Sequence, residues 1–414
     1  MKVFKFGGAS IKSAEAITNI RNIIKKYNNK LFIVISAMDK TTKAFEDVLY
    51  NFFANKDYVS KIEKIKSFHL SVISKLFADS FEIKNKIESI FNEIYNLLDN
   101  KKSQDYHKTY DALVSYGEIL STIIISEYLN YSGIKNKWLD ARKIISTDSN
   151  FRKANVDFQK TAENLKNALN ENENIYITQG FIAADSKNNT TTLGREGSDY
   201  SAAIFANILN AESLTLWKDV AGIYNADPKL IEQAQKIDQI SYYEATELAY
   251  FGSKIIHPKT AKPLIDKNIK LFIKSFENPD LEGSSVANYN FKINPVIPIY
   301  IFNKNQTLIT LRAKEFEFIS EKIFEKIFKI FYDFRVKINL IQNSALTVSL
   351  CFDHSEVVFE KLLAELKKHF EIRHNQGLTL LTVRHFDENI LKEMLQNKKI
   401  FLEQKNRLNA FYLY

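Results

Sequence analysis

A chain of 414 residues with 45% hydrophobic content is long enough for two or three domains with buried cores. Its formal net charge is +8, but the lysines are interleaved with glutamate and aspartate along helical segments, which argues against nucleic-acid binding. A single cysteine, Cys351, excludes internal disulfides, and no uninterrupted apolar run approaches the roughly 20 residues of a membrane span, so the composition predicts a cytoplasmic protein with no membrane segment.

The first predicted element is a short strand, VFKF, that runs directly into Gly7 and Gly8 and then into a helix from about Ser13. A strand, a glycine turn and a helix form a geometry that cradles phosphate, because free N–H groups point out of the helix N-terminus. Lys5 precedes the glycines, so the segment matches neither G-x-x-x-x-G-K-[ST] nor G-x-G-x-x-G. The glycine pair alone is therefore a weak signal for a nucleotide site.

A second predicted strand, LFIVISA at residues 31–37, ends in Ser36 and continues into the polar turn MDKTT. This places the hydroxyls of Ser36, Thr41 and Thr42 at the carboxyl end of a strand. Ligands of open α/β sheets bind at that end of the strands, so these hydroxyls are candidate ligand contacts.

Residues 56–131 are predicted to be helical, because isoleucine, leucine and phenylalanine recur at three- and four-residue spacing. Such a stripe indicates core packing. Near its end, the segment SYGE places Glu118 after Gly117. Taken alone, this segment favours a surface glutamate at a helix start.

The segment TLGREGSDYSA, residues 192–202, follows a predicted strand at 175–183 and precedes a predicted helix. Ser198 or Asp199 would cap that helix, and the two glycines would allow a tight turn. Capping does not explain Arg195, because a glycine turn with an arginine before a helix N-terminus also forms an anion site. These residues by themselves leave both interpretations open.

Two later segments have the same character. LTLWKDVAGIYNADPKLI, at 214–231, predicts a strand followed by a glycine turn, and FGSKIIHPKTAKPL, at 251–264, sets a lysine near a helix start. Their polar residues are Lys218, Asp219, Tyr224, Lys229 and Lys254. Strands and helices therefore alternate from residue 1 to about 275, which predicts an α/β fold with a mostly parallel central sheet flanked by helices.

Six segments in this order and spacing resemble the aspartate kinases of the amino-acid kinase family: KFGGAS, VISAMDKTT, SYGE, TLGREGSDYSA, KDVAGIYNADPK and FGSKIIHP. The resemblance covers essentially residues 1–275, and six motifs in order are specific although each is weak alone. It implies the amino-acid kinase fold and ATP-dependent phosphorylation of the L-aspartate side chain to 4-phospho-L-aspartate. That reaction is the first step of the pathway to lysine, threonine and methionine. The implied cofactors are ATP and Mg²⁺.

The resemblance also assigns roles to individual residues. The catalytic positions are Lys5 and Asp199. The positions that hold aspartate are Ser36, Thr42, Glu118, Arg195 and Ser198. The nucleotide positions are Lys5, Gly7, Gly8, Lys218, Asp219, Tyr224, Lys229 and Lys254. No residue is assigned as a direct metal ligand, and the 7 histidines form no metal-type cluster. By this resemblance the turn before the helix both caps the helix and forms an anion site, in which Arg195 takes the α-carboxylate.

Three residues depart from the family pattern. Lys218 stands where relatives usually carry threonine, Lys229 where many carry arginine, and Glu196 where many carry glycine. Lys229 retains the charge but loses the guanidinium fork. Lys218 could add a phosphate contact or crowd the nucleotide, and the sequence leaves both possibilities open.

The proline-rich segment 276–298 predicts a boundary between a catalytic domain at 1–278, a linker at 279–298 and a regulatory region at 299–414. The predicted order after the linker is β-α-β-β-α-β, which is a ferredoxin-like α+β pattern. It resembles the ACT modules that follow aspartate kinase domains, with one full module at about 305–386 and an abbreviated second module.

ACT modules bind amino-acid effectors and usually pair edge to edge, so the resemblance implies a homodimer and possible feedback by lysine or threonine. Glycines that often open the effector pocket are missing from FEFISEKIFEKIF, and Asn339 replaces a typical aspartate. Two alternatives stay open. One is a catalytically inactive, amino-acid-sensing ACT protein, although Lys5, Asp199 and Lys254 are all retained. The other is a kinase of the same fold that acts on another small carboxylate.

Overall fold

The computed structural model describes residues 1–99, 105–170, 172–253, 255–315 and 317–414. In chain order, the strands are β1 (Lys2–Phe6), β2 (Leu31–Ile35), β3 (Lys137–Leu139), β4 (Ser146–Thr147), β5 (Val156–Asp157), β6 (Ile175–Gln179), β7 (Ile182–Asp185), β8 (Thr190–Thr192), β9 (Ser213–Lys218), β10 (Ile223–Tyr224), β11 (Lys236–Ile237), β12 (Gln239–Ser241), β13 (Lys270–Ser275), β14 (Ser284–Ala287), β15 (Ile293–Asn294), β16 (Ile299–Ala313), β17 (Ile338–Asn343), β18 (Thr347–Asp353), β19 (Phe370–Arg384), β20 (Leu402–Lys405) and β21 (Asn409–Leu413).

The α-helices are α1 (Ala14–Lys25), α2 (Thr41–Phe53), α3 (Val59–Leu76), α4 (Phe81–Asp99), α5 (Tyr106–Tyr131), α6 (Phe158–Ala168), α7 (Gly197–Ile208), α8 (Tyr242–Tyr250), α9 (Pro258–Asp266), α10 (Glu321–Asp333), α11 (Glu356–Lys367) and α12 (Glu388–Leu395). These elements belong to two compact units. The first unit comprises 1–223, 237–246 and 255–294, and the second comprises 224–236, 247–254 and 295–414.

Within the described residues, the first unit contains a nine-stranded sheet in the order β15-β12-β14-β13-β9-β1-β2-β6-β3. In this order, the six strands β13, β9, β1, β2, β6 and β3 are all parallel to their neighbours. Strand β14 is antiparallel to β13, and β15 is antiparallel to β12. All five residues of β2 are buried, as expected for a central parallel strand covered by helices on both faces. The predicted α/β fold is confirmed, and the carboxyl ends of the parallel strands share one edge of the sheet.

Helix α5 lies in the core of the first unit. It is the one described helix that is long and apolar enough to cross a membrane by length and composition. Most of its residues are buried, and the core helix of a globular domain passes the same test, so it is only weak support for a membrane segment. Its buried residues include two acids: Glu118 lines the cavity described below, and Asp111 accepts hydrogen bonds from two residues that line it.

The segment 279–298, predicted as a linker, instead contributes β14 and β15 to the central sheet. Proline, glycine, serine and asparagine do mark turns there, but those turns enclose two strands, β14 inside the sheet and β15 at its edge, that are too short to show a periodic pattern. The two units also interleave along the chain, since 224–236 and 247–254 group with the C-terminal residues.

The second unit contains a six-stranded antiparallel sheet, within its described residues, in the order β17-β18-β16-β19-β21-β20. The order β16-α10-β17-β18-α11-β19 confirms the predicted ferredoxin-like pattern. Strands β16 and β19 each run for 15 residues and pair along most of their length. The C-terminal part of β19 pairs with β21, which in turn pairs with β20, so the sheet continues into the residues after about 386.

Candidate active site

A cavity of about 510 Å³ opens in the first unit where β1, β2 and β6 end and α7 begins. It brings together all of the predicted catalytic and substrate-binding residues, with Gly8 from the predicted nucleotide set. Those that line it are Lys5, Gly8, Ser36, Thr42, Glu118, Arg195, Ser198 and Asp199. Lys5 and Asp199, which are more than 190 positions apart in sequence, are therefore neighbours in this cavity.

The central feature of the cavity is an ion pair between Lys5 and Asp199. The Lys5 ammonium lies 2.7 Å from Asp199 Oδ1, and the ammonium of Lys218 lies 3.9 Å from Asp199 Oδ2. Burial by itself would raise the pKa of Asp199, but Lys5 and then Lys218 hold that pKa below its ordinary value. Asp199 is therefore an ionised carboxylate between two cations.

The turn after β1 requires glycine because two strand ends approach each other there. A Cβ on Gly8 would lie 2.8 Å from the Asp39 carbonyl oxygen and 3.0 Å from that of Ala37. Any side chain at this position would push apart the loops that follow β1 and β2. Gly7 adjoins the same turn, and a Cβ there would meet the Lys5 ammonium at 3.4 Å.

Glu118 is buried, whereas the segment SYGE taken alone predicts a surface glutamate. Its side chain is 3% exposed, and Oε1 accepts a 3.3 Å hydrogen bond from the Ala37 N–H. Oε2 has no hydrogen-bond partner among the described residues. Burial raises the pKa of Glu118 to about 8. A cation placed beside Oε2 would relieve this cost.

Helix α7 is not capped by Ser198 or Asp199, so the capping interpretation of this segment is wrong. The helix begins at Gly197, and Glu196 takes the N-cap position with φ +56° and no side-chain cap. Ser198 and Asp199 thus lie in the first turn, where Asp199 faces Lys5 instead of the helix end. Arg195 is exposed and forms no ion pair with any carboxylate in the described part of the chain. Its guanidinium is available to an anion.

The predicted nucleotide residues are distributed more widely. Lys218 ends β9 and Asp219 follows it as an exposed residue of the first unit. Tyr224 and Lys229 belong to the second unit. Lys254 lies outside the described residues. Among the described residues there is no group of three His, Cys, Asp or Glu side chains that could hold a metal ion.

Neither Arg152, which lines the cavity, nor Asp111, which accepts hydrogen bonds from two residues that line it, is among the residues predicted from the sequence. Arg152 lines the cavity from the loop before β5, with φ +68°. Asp111 is fully buried and accepts hydrogen bonds from the N–H of Arg152 at 2.8 Å and from the N–H and hydroxyl of Thr192 at 2.9 and 2.8 Å. Burial raises the pKa of Asp111 to about 6.

A signal for Asp111 exists in the sequence. The polar residues of α5 that are buried include Asp111, Ser115, Glu118 and Thr122, at spacings of four, three and four. This is helical periodicity carried by polar groups inside an apolar helix, and it predicts one polar face directed at a site. No comparable pattern points to Arg152.

A strand-end lysine paired with an aspartate, a glycine turn, a helix N-terminus and two oppositely charged groups open to a ligand form a site for charged small molecules and phosphate. Together with the mostly parallel sheet, they define the chain as a kinase of a small metabolite.

Comparison with known proteins agrees with that class. The amino acid kinase family model matches residues 1–275. Lysine-sensitive aspartokinase 3 of Escherichia coli (strain K12) is 30% identical over 390 residues, which cover 92% of this chain and 86% of the relative. Aspartokinase 2, chloroplastic, of Arabidopsis thaliana is 28% identical over 381 residues, which cover 88% and 69%.

Solved structures give the same result. E. coli aspartokinase III in complex with lysine and aspartate superposes with a TM-score of 0.82 at 28% identity, covering 100% of this chain and 96% of that chain. The same enzyme in complex with aspartate and ADP gives a TM-score of 0.81 with the same coverage. The chain therefore belongs to the amino acid kinase family and, within it, to the aspartokinases.

Proposed function

We propose that this aspartokinase transfers the γ-phosphoryl group of ATP to the side-chain carboxylate of L-aspartate. The product is 4-phospho-L-aspartate, the first intermediate of the aspartate-derived amino-acid pathway. The observation that carries the proposal is a single cavity with the Lys5–Asp199 pair, the open carboxylate oxygen of Glu118 and the available guanidinium of Arg195. The aspartate and ADP bound to the E. coli relative support it.

The acceptor needs no general base. The side-chain carboxyl of free aspartate has a pKa of about 3.9, so it is already ionised at neutral pH. The difficulty is that an anion must approach a polyanion, so positioning and positive charge carry the catalysis. Lys5 is suited to the γ-phosphoryl oxygens, because Asp199 holds its ammonium at the end of β1. Asp199 stays ionised between two lysines, and so orients Lys5 and does not remove a proton.

The remaining substrate contacts follow from charge. Glu118 would pair with the aspartate ammonium through its open oxygen, and Arg195 would take the α-carboxylate as a two-pronged donor. The hydroxyls of Ser36, Thr42 and Ser198 line the same cavity and would donate to the substrate carboxylates.

The nucleotide would be bound by the turn at Gly7 and Gly8 and by cationic and polar residues from the end of β9 onwards. Those residues are Lys218, Asp219, Tyr224, Lys229 and Lys254. Mg²⁺ would arrive with the nucleotide and neutralise charge on its phosphates, and Asp199 is suited to hold it through water. A nucleotide Kd that Lys218→Thr leaves unchanged would contradict a direct contact by Lys218.

We also propose a homodimer that forms through the regulatory sheet, with regulation by lysine or threonine. Within the described residues β17 lies at an edge of this sheet, and an edge strand presents backbone groups that can pair with another chain. Lysine is bound in the structure of the E. coli relative. Light scattering tests the dimer, and inhibition curves with millimolar lysine or threonine test the effector. A cytoplasmic location fits the buried free thiol of Cys351, which requires no oxidising compartment.

The test of the activity is ADP release from Mg-ATP with L-aspartate, glutamate or N-acetylglutamate, with hydroxylamine added to trap acyl phosphate. The expected result is a hydroxamate that depends on aspartate. A hydroxamate with another acid alone would overturn the substrate. ATP binding without turnover of any acid would favour the amino-acid-sensing protein instead.

A further inference from the structure

A second cavity, of about 420 Å³, lies in the first unit on the face of the central sheet opposite Lys5. Successive side chains of a strand alternate between faces, so Lys2 and Phe4 project away from the Lys5 side. Registered residues across β1, β9 and β13 form its floor. Two rows of paired residues cross the three strands. The first row is Lys2, Ser213 and Lys270, and the second is Phe4, Thr215 and Phe272. Lys274 lies two residues beyond Phe272 on β13, on the same face. The cavity is therefore separate from the catalytic one.

The cavity floor contains three lysines, Lys2, Lys270 and Lys274, and most of them form no ion pair with a carboxylate among the described residues. Lys2 lies 3.4 Å from Glu212, whereas Lys270 and Lys274 have no ion pair in the described part of the chain. Their ammonium groups lie over aromatic rings: Lys270 is 5.6 Å from the Phe272 and Tyr289 ring centres and Lys274 is 5.6 Å from that of Trp217. Donors on both groups stay free for a ligand.

Burial also bears on Lys274. It lowers the pKa of this lysine, an effect that the more distant charges of Asp280 and Glu282 partly oppose. The rim of the cavity carries two carboxylates, on Asp238 and Glu282, against the three ammonium groups of the floor. Lys270 and Lys274, which lack a carboxylate partner in the described part of the chain, are therefore the cations that an anionic ligand would neutralise.

Two buried hydroxyls complete the floor. Ser213 and Thr215 are each 5% exposed, and neither side chain has a hydrogen-bond partner within the described residues. They lie on the central strand β9, whose other face carries Leu214 and Leu216, both fully buried. A central parallel strand is usually apolar on both faces, so these two hydroxyls mark the place where β9 faces the cavity instead of an apolar layer.

We propose that this cavity binds a small metabolite with two or more phosphate or carboxylate groups. Neighbouring strands lie about 4.8 Å apart, which separates the Cα atoms of Lys2 and Lys270 by about 10 Å, and Lys274 lies about 13 Å along the strand from Lys270. This spread of anchor points along and across the strands favours an elongated polyanion over a single phosphate. Phe4 and Phe272 offer apolar contacts to its carbon skeleton.

The test is calorimetric titration of inorganic tripolyphosphate into the full chain with the nucleotide site saturated by ADP. The expected result is one further binding site per chain. The double substitution K270Q/K274Q should weaken it at least tenfold, and Thr215→Val should weaken it several-fold. Lys187→Gln, which removes an exposed lysine in the turn between β7 and β8, is the matched control and should leave binding unchanged.

Three results would overturn the proposal. They are no binding beyond the ADP-saturated site, equal binding by the K270Q/K274Q variant, and equal weakening by Lys187→Gln. Because Lys270 and Lys274 are only partly buried, the double variant should fold, which circular dichroism checks. If the double variant does not fold, the binding measured for Thr215→Val tests the proposal instead.

A different observation concerns Arg152 at the catalytic cavity. Its φ of +68° is a conformation that residues other than glycine rarely adopt, and such strain clusters at functional sites. The backbone N–H of Arg152 donates a 2.8 Å hydrogen bond to the Asp111 carboxylate. The guanidinium carbon of Arg152 lies 4.2 Å from the Tyr110 ring centre. The guanidinium has no carboxylate partner in the described part of the chain, although it lines the cavity with Arg195.

On the basis of the proposed function, we infer that Arg152 binds a carboxylate of the acceptor, so that an acceptor with two carboxylates meets two guanidinium groups. Arg152→Gly separates this role from a structural one, because glycine adopts the same φ without strain. The melting temperature should stay equal or rise, while KM for aspartate rises about tenfold and kcat changes less than threefold. Arg152→Lys should recover part of the affinity.

An unchanged KM in Arg152→Gly, with the parent chain active on aspartate, would overturn the role of Arg152 alone. A parent chain without aspartate-dependent turnover would overturn the proposed function itself, so the two failures are distinguishable.

Discussion

Gly180 supplies the sharpest structural test of the substrate site. It follows β6, and its N–H donates to the Ile35 carbonyl at 2.9 Å, so the sheet holds it in place. A Cβ on Gly180 would lie 2.6 Å from Ser198 Cβ, 2.7 Å from its Cα and 2.8 Å from its Oγ. Carbon atoms normally approach to about 3.5–4.0 Å, so a methyl group requires Ser198 to move by about 1 Å. The contact includes the Ser198 backbone, and rotation of the side chain cannot relieve it.

The expected cost of Gly180→Ala follows from that displacement. A misplacement of about 1 Å in a group that positions substrate reduces rate about 100-fold, which is about 2.7 kcal/mol of transition-state stabilisation. We therefore expect kcat/KM for aspartate to fall about 100-fold while the nucleotide Kd stays close to that of the parent. Overpacking should also lower the free energy of unfolding by about 1–3 kcal/mol.

The assay is ADP release with aspartate varied at saturating ATP, together with a urea unfolding curve. Gly133→Asn is the matched control, because Gly133 has φ +84° with no atom within 4 Å of a Cβ, and asparagine tolerates this conformation. Its kinetics should match the parent. If folded Gly180→Ala keeps kcat/KM within threefold of the parent, Ser198 does not position the substrate as proposed.

Three further predictions concern charged groups. Burial raises the pKa of Glu118 to about 8, and only its ionised form can pair with the substrate ammonium, so KM for aspartate should rise by up to tenfold per unit as pH falls below 8. A KM that is flat between pH 9 and 6, or still pH-dependent in Glu118→Gln, would contradict this. Asp199→Asn leaves two lysines without their carboxylate, so kcat should fall at least 100-fold and the free energy of unfolding by about 3 kcal/mol; a kcat within threefold of the parent would refute the role of the pair. Burial lowers the pKa of His69 to about 4, so the unfolded chain binds the extra proton below pH 6.5 and stability should fall from pH 6.5 towards 4 by at most about 1.4 kcal/mol per unit. Urea unfolding of His69→Phe should lose that part of the pH dependence, and an unchanged slope would show that His69 does not cause it.

The parts of the site that lie at strand ends were predictable from sequence. Lys5, Gly8, Ser36 and Asp199 each sit where a hydrophobic strand stops or a helix starts, and those signals are local. Parallel strands bring their carboxyl ends to one edge, so correct elements imply that these residues meet. The α/β order of the first unit and the ferredoxin-like order of the second were predictable for the same reason.

The local sequence pattern could not predict a residue's burial or pairing where a partner distant in sequence determines them. The segment around Glu118 favours a surface residue, yet α5 is packed so that Ala37, 81 positions away, donates to it. Asp199 lies in the first turn of α7 and pairs with Lys5, 194 positions away, instead of capping the helix. The short strands β14 and β15 are part of the sheet because β12 and β13 offer them backbone partners. Burial, pairing and strand edges are properties of neighbours in space. Apart from the periodic polar face of α5, they have no signature within a few residues of sequence, so the folded chain determines them.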